Sequence, residues 1–243
     1  MTLESADFPD LSDQFIEDQA HGLLESFYSK FNQPVTAPVP TELIAEQYLG
    51  YSLDIVNDGL FSDPNYLGGI GFEDQVIQIS ESVESHEGRY NFTIAHEIGH
   101  HVLHRDFYYA HADTLDSTVI CREAQSKPKI EQQADRFAAA LLMPSQHVLD
   151  AIDSIDSGLP TYPGSLGAAR GIAHKVIQAG SFSNVSNTAM VNRLIDLKLI
   201  LDVPYQTGMS KTFFRRNAQG KRSVRSMTSW ALKKLLYFLK PYK

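Results

Sequence analysis

Residues 96–100 read His-Glu-Ile-Gly-His and lie inside a stretch, 91–105, whose apolar residues recur at helical spacing. Positions four apart share one face of an α-helix, so His96 and His100 project together, about 6 Å apart along the axis. Two imidazoles placed in this way can bind one tetrahedral metal ion. Glu97 lies about 100° round the helix, where it can accept a proton from water at the metal. The sequence therefore predicts a helix-borne metal site with Glu97 as its general base.

A metal site of this kind needs a third protein ligand, because two histidines alone hold a metal poorly. His104 cannot bind the same ion as His96, since eight residues of helix separate them by roughly 12 Å. We therefore predict that His104 is a core histidine or one that supports a ligand histidine. His101 points away from the metal-binding face and is predicted to be structural or exposed. The third ligand is expected from another element.

The second strong helical pattern, residues 130–142, offers that ligand. Glu131 and Asp135 are four residues apart and share a face that continues into apolar residues. Two carboxylates above an apolar face are costly to bury without partners. We predict Glu131 as the third metal ligand and Asp135 as the acceptor for a ligand histidine, foremost His96. The alternatives are a solvated face and a salt bridge with Arg136.

Other metal-binding candidates lie in the irregular stretch 106–129. Cys121 can bind zinc, but a lone cysteine there is interpreted as a buried or idle thiol. The remaining candidates are interpreted as solvated loop residues: His111, Asp113, Asp116 and Glu123. His111 and Asp113 are next in line if Glu131 is not the ligand. Imidazole and carboxylate donors suit zinc, and we predict one zinc ion per chain. Manganese is the alternative metal.

Composition narrows the class of protein. The 243 residues are 43% hydrophobic and 21% charged, as in globular proteins. A single cysteine excludes an internal disulfide framework and suits a reducing compartment. The acidic start of the chain has no signal-peptide pattern, and the longest apolar run, 137–143, is far too short to span a membrane. We therefore expect a cytoplasmic protein.

The pattern of elements predicts four regions along the chain. Residues 1–40 comprise an amphipathic helix, 11–31, and a proline-rich connector. Residues 41–145 form the core, with strands in 51–80 that are joined by glycine bends at 68, 69 and 71. Helices at 165–179 and 186–200 fall within an extension, 146–203. The remaining residues, 204–243, form a basic amphipathic tail with ten Lys and Arg and no acidic residue, in a chain whose net charge is −8.

Two segments together resemble the ImmA/IrrE family of zinc-dependent regulatory metallopeptidases. The segments are RYNFTIAHEIGH, residues 89–100, and EQQADRFAAALLMP, residues 131–144. The resemblance covers about residues 40–200. It implies an α+β, minimal gluzincin-like domain in which a short sheet packs against the metal-bearing helices, with a helical C-terminal extension. It also implies His96, His100 and Glu131 as ligands and Glu97 as base.

Family members commonly cut or release a helix-turn-helix repressor, so the resemblance implies a protein substrate such as a transcriptional repressor or a phage or toxin–antitoxin regulator. The alternatives are a metal-containing regulator that sequesters its partner without cutting it, and a DNA-binding regulator. DNA binding would use residues 165–200, where a second helix resembles that of a helix-turn-helix pair, and the basic tail. Tyr90, Arg170 and His174 are candidates for stabilising an oxyanion.

Overall fold

A computed structural model of the chain describes residues 8–57, 67–111, 119–120, 128–155 and 163–200. Helices dominate these ranges, and short strands form one sheet. The helices are α1 (Asp13–Lys30), α2 (Thr41–Leu43, continued by a π-helical turn, Ile44–Tyr48), α3 (Glu81–Glu84), α4 (Glu87–His111), α5 (Lys129–Leu142), α6 (Ser145–Asp153), α7 (Leu166–Ala179) and α8 (Asn187–Asp196). The strands are β1 (Ser52–Val56), β2 (Gly68–Gly71), β3 (Val76–Ser80) and β4 (Val119–Ile120). The predicted α+β class is confirmed.

The sheet has the strand order β1-β3-β2-β4. Strand β1 runs parallel to β3, and β2 runs antiparallel to both β3 and β4. Ile77 and Ile79 of β3 are fully buried and anchor the sheet in the core. The prediction that the glycines at 68, 69 and 71 bend the chain is wrong, because all three lie in the central strand β2. A glycine-rich strand escapes sequence analysis because glycine is depleted in strands generally.

Helices α4 and α5 form the central packing unit and hold the motif residues. Helix α4 is longer than the predicted 91–105 at both ends. Gly99 lets the two helices approach closely: a Cβ added there would lie 3.2 Å from the Cα and the carbonyl oxygen of Ala134 and the Cβ of Phe137. Phe137, at this contact, and Ile98, the chain neighbour of Gly99, are both fully buried. The glycine inside the His-Glu-Ile-Gly-His motif therefore sets how near α5 lies to the two histidines.

Helix α1 packs against α5 through a fully or almost fully buried face that includes Ile16, Ala20 and Leu24. Arg193 of α8 is also buried, and its Nε donates a hydrogen bond of 2.9 Å to the carbonyl oxygen of Met143, at the end of α5. The Arg193 guanidinium pairs with Glu17 of α1. One arginine therefore joins the first and last described helices to the end of α5.

The helices predicted over 11–31 and 165–179 are confirmed as α1 and α7, and the helix predicted over 186–200 is confirmed as α8 but ends at Asp196. The predicted region boundaries stay predictions. Several predictions fall outside the described residues, namely those for the basic tail, Cys121, Asp113, Asp116 and Glu123. Within the described ranges, no helix is both long and apolar enough to cross a membrane.

Candidate metal centre

Three buried side chains converge between α4 and α5. Helix α4 contributes His96 and His100, and α5 contributes Glu131; their side chains are 7%, 1% and 2% exposed. The Nε2 atoms of the two histidines lie 3.1 Å apart. Glu131 places Oε2 3.1 Å from Nε2 of His96 and Oε1 3.1 Å from Nε2 of His100. The two Nε2 atoms and the Glu131 carboxylate group thus face one another, each pair in contact at 3.1 Å, and are named here the donor triangle.

The donor triangle has the size that a tetrahedral metal ion requires. Ligand bonds of about 2.0–2.1 Å in tetrahedral geometry place the ligand atoms about 3.3 Å apart, close to the 3.1 Å observed. Two imidazoles and a carboxylate also form a donor set that zinc prefers. Among the residues that the structure describes, His96, His100 and Glu131 form a cluster of donors that could hold a metal ion.

The Glu131 carboxyl group is held in its anionic form. Burial alone would raise its pKa, but hydrogen bonds to His100 and His96 and the charges of these histidines outweigh burial and hold the pKa well below its usual range. The two carboxylate oxygens each face one histidine. The triangle therefore presents a negative charge and two imidazole nitrogens to one point.

Asp135 lies one turn after Glu131 and contacts the far side of the His96 ring. Its Oδ1 is 3.0 Å from Nδ1 of His96, and its side chain is 30% exposed. A carboxylate at this position accepts the Nδ1 proton and leaves the lone pair of Nε2 facing the triangle. Arg136, the alternative partner considered from the sequence, pairs instead with Asp13 of α1 at 2.6 Å.

His104 contacts the His100 ring at Nδ1, the nitrogen that is not part of the triangle. It is fully buried, with its Nδ1 3.1 Å from Nδ1 of His100 and its Nε2 2.9 Å from Oε1 of Gln133. Gln133 in turn donates a 2.9 Å hydrogen bond from Nε2 to the carbonyl oxygen of Pro9. Burial, with the charge of His100 added, lowers the pKa of His104 to about 3. His104 thus lies beside a candidate ligand and outside the triangle.

The other histidines of α4 lie away from the donor triangle. The hydroxyl of Tyr51 lies 2.9 Å from Nδ1 of His101, which is half-buried. Burial, with a smaller contribution from Arg105, lowers the pKa of His101 to about 4. His111 is exposed, and its Nδ1 lies 2.9 Å from the carbonyl oxygen of Phe107. The structure therefore brings Glu131, rather than His111, to the two histidines.

A small pocket opens onto the donor triangle. Glu97, which is 3% exposed, lines it together with the triangle. The rest of the lining comes from the start of β2 with the residue before it, and from α4: Gly68, Leu67, Phe92 and Thr93. A Cβ on Gly68 would lie 2.5 Å from Cγ2 of Thr93 and 3.2 Å from Oε1 of Glu97. Strand β2 therefore runs directly against the predicted base, a relation that the sequence analysis missed.

The residues proposed from the sequence as oxyanion stabilisers are absent from the described lining of this pocket. The hydroxyl of Tyr90 donates a 2.8 Å hydrogen bond to Glu42. Burial and this hydrogen bond to a carboxylate raise the pKa of Tyr90. Arg170 and His174 belong to α7. Near the triangle, sequence analysis also missed Gln133 and Pro9, whose polar contacts depend on the packing of α1 and its leading segment.

The α+β fold and the buried triangle beside Glu97 are consistent with a minimal metallopeptidase domain. Residues 60–159 match the family model described as the IrrE N-terminal-like domain, Peptidase_M78. The match confirms the family resemblance over this segment, which includes both motif helices. No curated protein matches the chain.

Proposed function

We propose that this protein is a zinc-dependent endopeptidase of the ImmA/IrrE type. The observation that carries the proposal is the donor triangle with Glu97 in the same pocket. His96, His100 and Glu131 would hold one zinc ion, and Asp135 would orient His96. A purely structural metal site has no need of a carboxylate beside it in a pocket. Glu97 therefore favours a hydrolytic site over a structural one.

Zinc bound at the triangle would supply a Lewis acid that polarises a peptide carbonyl and acidifies water. The carboxylate of Glu97 would take a proton from the attacking water and return it to the departing amine nitrogen. Strand β2 limits the space around that carboxylate, because its Gly68 backbone lies against Thr93 and Glu97. The chain's own residues would thus keep the proposed base in the pocket that the triangle also lines and restrict its movement.

The match to a peptidase family implies that the substrate is a protein. Among proteins, we propose a regulatory substrate such as a helix-turn-helix repressor or another phage or toxin–antitoxin regulator. This choice rests on the family resemblance. We propose a cytoplasmic site of action, in line with the single cysteine of the chain.

The test uses the full chain and the purified product of the neighbouring gene, incubated with zinc or with a chelator. Intact-mass analysis reads the result. Cleavage products that need zinc and vanish in the Glu97→Gln variant are expected. A stable complex with an uncut partner, equal for wild type and Glu97→Gln, would instead identify a sequestering regulator. Binding of the chain to DNA, weakened by salt and without cleavage, would identify the DNA-binding alternative.

A further inference from the structure

We propose that the backbone carbonyl of Pro9 fixes the tautomer of His100, through Gln133 and His104, so that Nε2 of His100 presents its lone pair to the donor triangle. This makes His104 and Gln133 positioning residues. The proposal rests on the proposed function only in taking His100 as a metal ligand. The three contacts involved, Pro9 to Gln133, Gln133 to His104 and His104 to His100, are named here the polar chain.

The direction of the polar chain is set at its Pro9 end. A backbone carbonyl can only accept a hydrogen bond, so the Gln133 side chain must turn its amide nitrogen toward Pro9, at 2.9 Å. Its Oε1 is then left 2.9 Å from Nε2 of His104. An amide oxygen only accepts, so Nε2 of His104 must carry a proton and donate it.

The proton on Nε2 of His104 also determines which nitrogen of His100 donates. A neutral imidazole has one N–H and one lone pair, so a His104 that is protonated on Nε2 can only accept at Nδ1. The Nδ1 of His100 lies 3.1 Å away and must therefore be the donor. With a metal at the triangle, His100 would be neutral, and protonation on Nδ1 leaves the lone pair on Nε2, the atom that lies 3.1 Å from Glu131 and from His96. Without metal, Nε2 carries the proton that the Glu131 carboxylate accepts, while Nδ1 still donates to His104. Hydrogen bonds that fix a ligand histidine in this way are typical of metal sites.

The two candidate ligand histidines thus have unlike supports. A partly exposed carboxylate, Asp135, orients His96, whereas a buried chain of neutral groups orients His100. The segment before α1 closes that chain and is itself anchored on α4. Phe8 packs edge-on against His104, with ring centroids 5.8 Å apart, and against Phe107 at 4.2 Å. Residues at the start of the described chain therefore belong to the support of the metal site.

The tautomers are measured directly by long-range ¹H–¹⁵N NMR of the full chain with ¹⁵N-labelled histidine, first metal-free and then with zinc. Protonation of His104 on Nε2 and of His100 on Nδ1 is expected in both samples. Protonation of His104 on Nδ1 would overturn the proposal. The metal-free spectrum decides the tautomer even if the wild-type chain binds no zinc, a result that would overturn the proposed function alone.

Zinc affinity supplies a second readout, from competition with a chromophoric chelator. His104→Phe and Gln133→Met are expected to weaken zinc binding roughly 10–100-fold, as loss of a hydrogen-bond partner to a ligand usually does. His104→Asn, which keeps an acceptor near the position of Nδ1, is expected to recover part of the loss. The matched controls are His101→Phe on α4 and Gln132→Met on α5. Equal affinities for His104→Phe and His101→Phe would overturn the proposal, and Gln133→Met decides if His104→Phe fails to fold.

Discussion

Gly99 of α4 and Ala134 of α5 lie so close that a Cβ on the glycine would fall 3.2 Å from the Cα of the alanine. Gly99 precedes His100, and Ala134 follows Glu131 by less than one helical turn. The contact therefore sets the distance at which the Glu131 carboxylate reaches the histidines. Geometry at the donor triangle depends on this backbone approach as much as on the donors themselves.

The wild-type chain is expected to bind about one zinc ion, because three protein ligands leave one tetrahedral position open. His96→Ala and His100→Ala are expected to lose the metal. Metal analysis of dialysed protein measures the number of zinc ions per chain. Urea unfolding with and without zinc measures how much the bound ion stabilises the fold. Zinc at 100 times its Kd should raise the free energy of unfolding of wild type by about 2.7 kcal/mol. His86→Ala, at an exposed histidine outside the triangle, is the control and should behave as wild type.

Glu97→Gln is expected to keep the zinc and to lower cleavage by roughly 10²–10⁴-fold, since it removes the proton acceptor and leaves the triangle intact. Cleavage rate and zinc content are measured on the same preparation. Cleavage at the wild-type rate by this variant would show that Glu97 is not the base.

Glu131→Ala is expected to weaken zinc binding as much as the loss of a histidine, whereas Asp135→Ala should weaken it only about 10–100-fold. The reason is that Glu131 belongs to the triangle and contacts Nε2 of both histidines, while Asp135 contacts only Nδ1 of His96. Chelator competition measures both affinities. If neither change alters the affinity, the third ligand lies elsewhere in the chain.

Gly68→Ala is expected to destabilise the fold by about 1–3 kcal/mol, as overpacking usually does, and to slow cleavage by displacing Thr93 or Glu97. The added Cβ would lie 2.5 Å from Cγ2 of Thr93. Thr93→Ser removes that methyl group and should recover part of the loss in the double variant. Gly71→Ala is the control from the same strand, since its nearest neighbour would be 3.8 Å away. Urea unfolding and cleavage rates are the measurements, and equal effects of the two alanines would contradict the expected clash.

Tyr51 is expected to make the fold sensitive to alkaline pH. Burial raises its pKa from 10.0 to about 12, with a small opposing contribution from Arg105. The unfolded chain therefore loses this proton first, and the stability that Tyr51 contributes, complete below pH 10, is lost as the pH rises toward 12. In metal-free protein, Tyr51→Phe should flatten the decline of the urea midpoint over this range. Tyr48→Phe, which also removes one tyrosine hydroxyl but at a residue that is not among the groups acting on Tyr51, is the control and should leave the decline unchanged.

Sequence analysis predicted the parts of the site that follow from spacing within one helix. Positions four apart share a helix face, so the pairs His96 and His100, and Glu131 and Asp135, needed no knowledge of the fold. Burial cost then indicated that the two carboxylates needed partners. The structure places His96, His100 and Glu131 around one point and Asp135 on the far side of the His96 ring, and the roles of all four in binding metal stay predictions.

The missed parts depend on contacts between segments far apart in the chain. Gly68 belongs to a glycine-rich stretch that is typical of a turn. It lies instead in an inner strand of the sheet, where Thr93 and Glu97 leave no room for a side chain. Gln133 contacts Pro9 across 124 positions of sequence, so no local pattern contains that hydrogen bond. Tertiary packing overrode local propensity at the first position and supplied the partner at the second.

The link that Arg193 makes between Glu17 and the carbonyl of Met143 bears on how short a fragment can still hold the site. Arg193 and Glu17 both lie outside residues 60–159, the segment that matches the family model. A fragment cut to that segment would expose the face of α5 that α1 covers and would leave the end of α5 without its arginine. We therefore expect the smallest autonomous unit of this protein to be longer than the segment that matches the family model and to include α1 and α8.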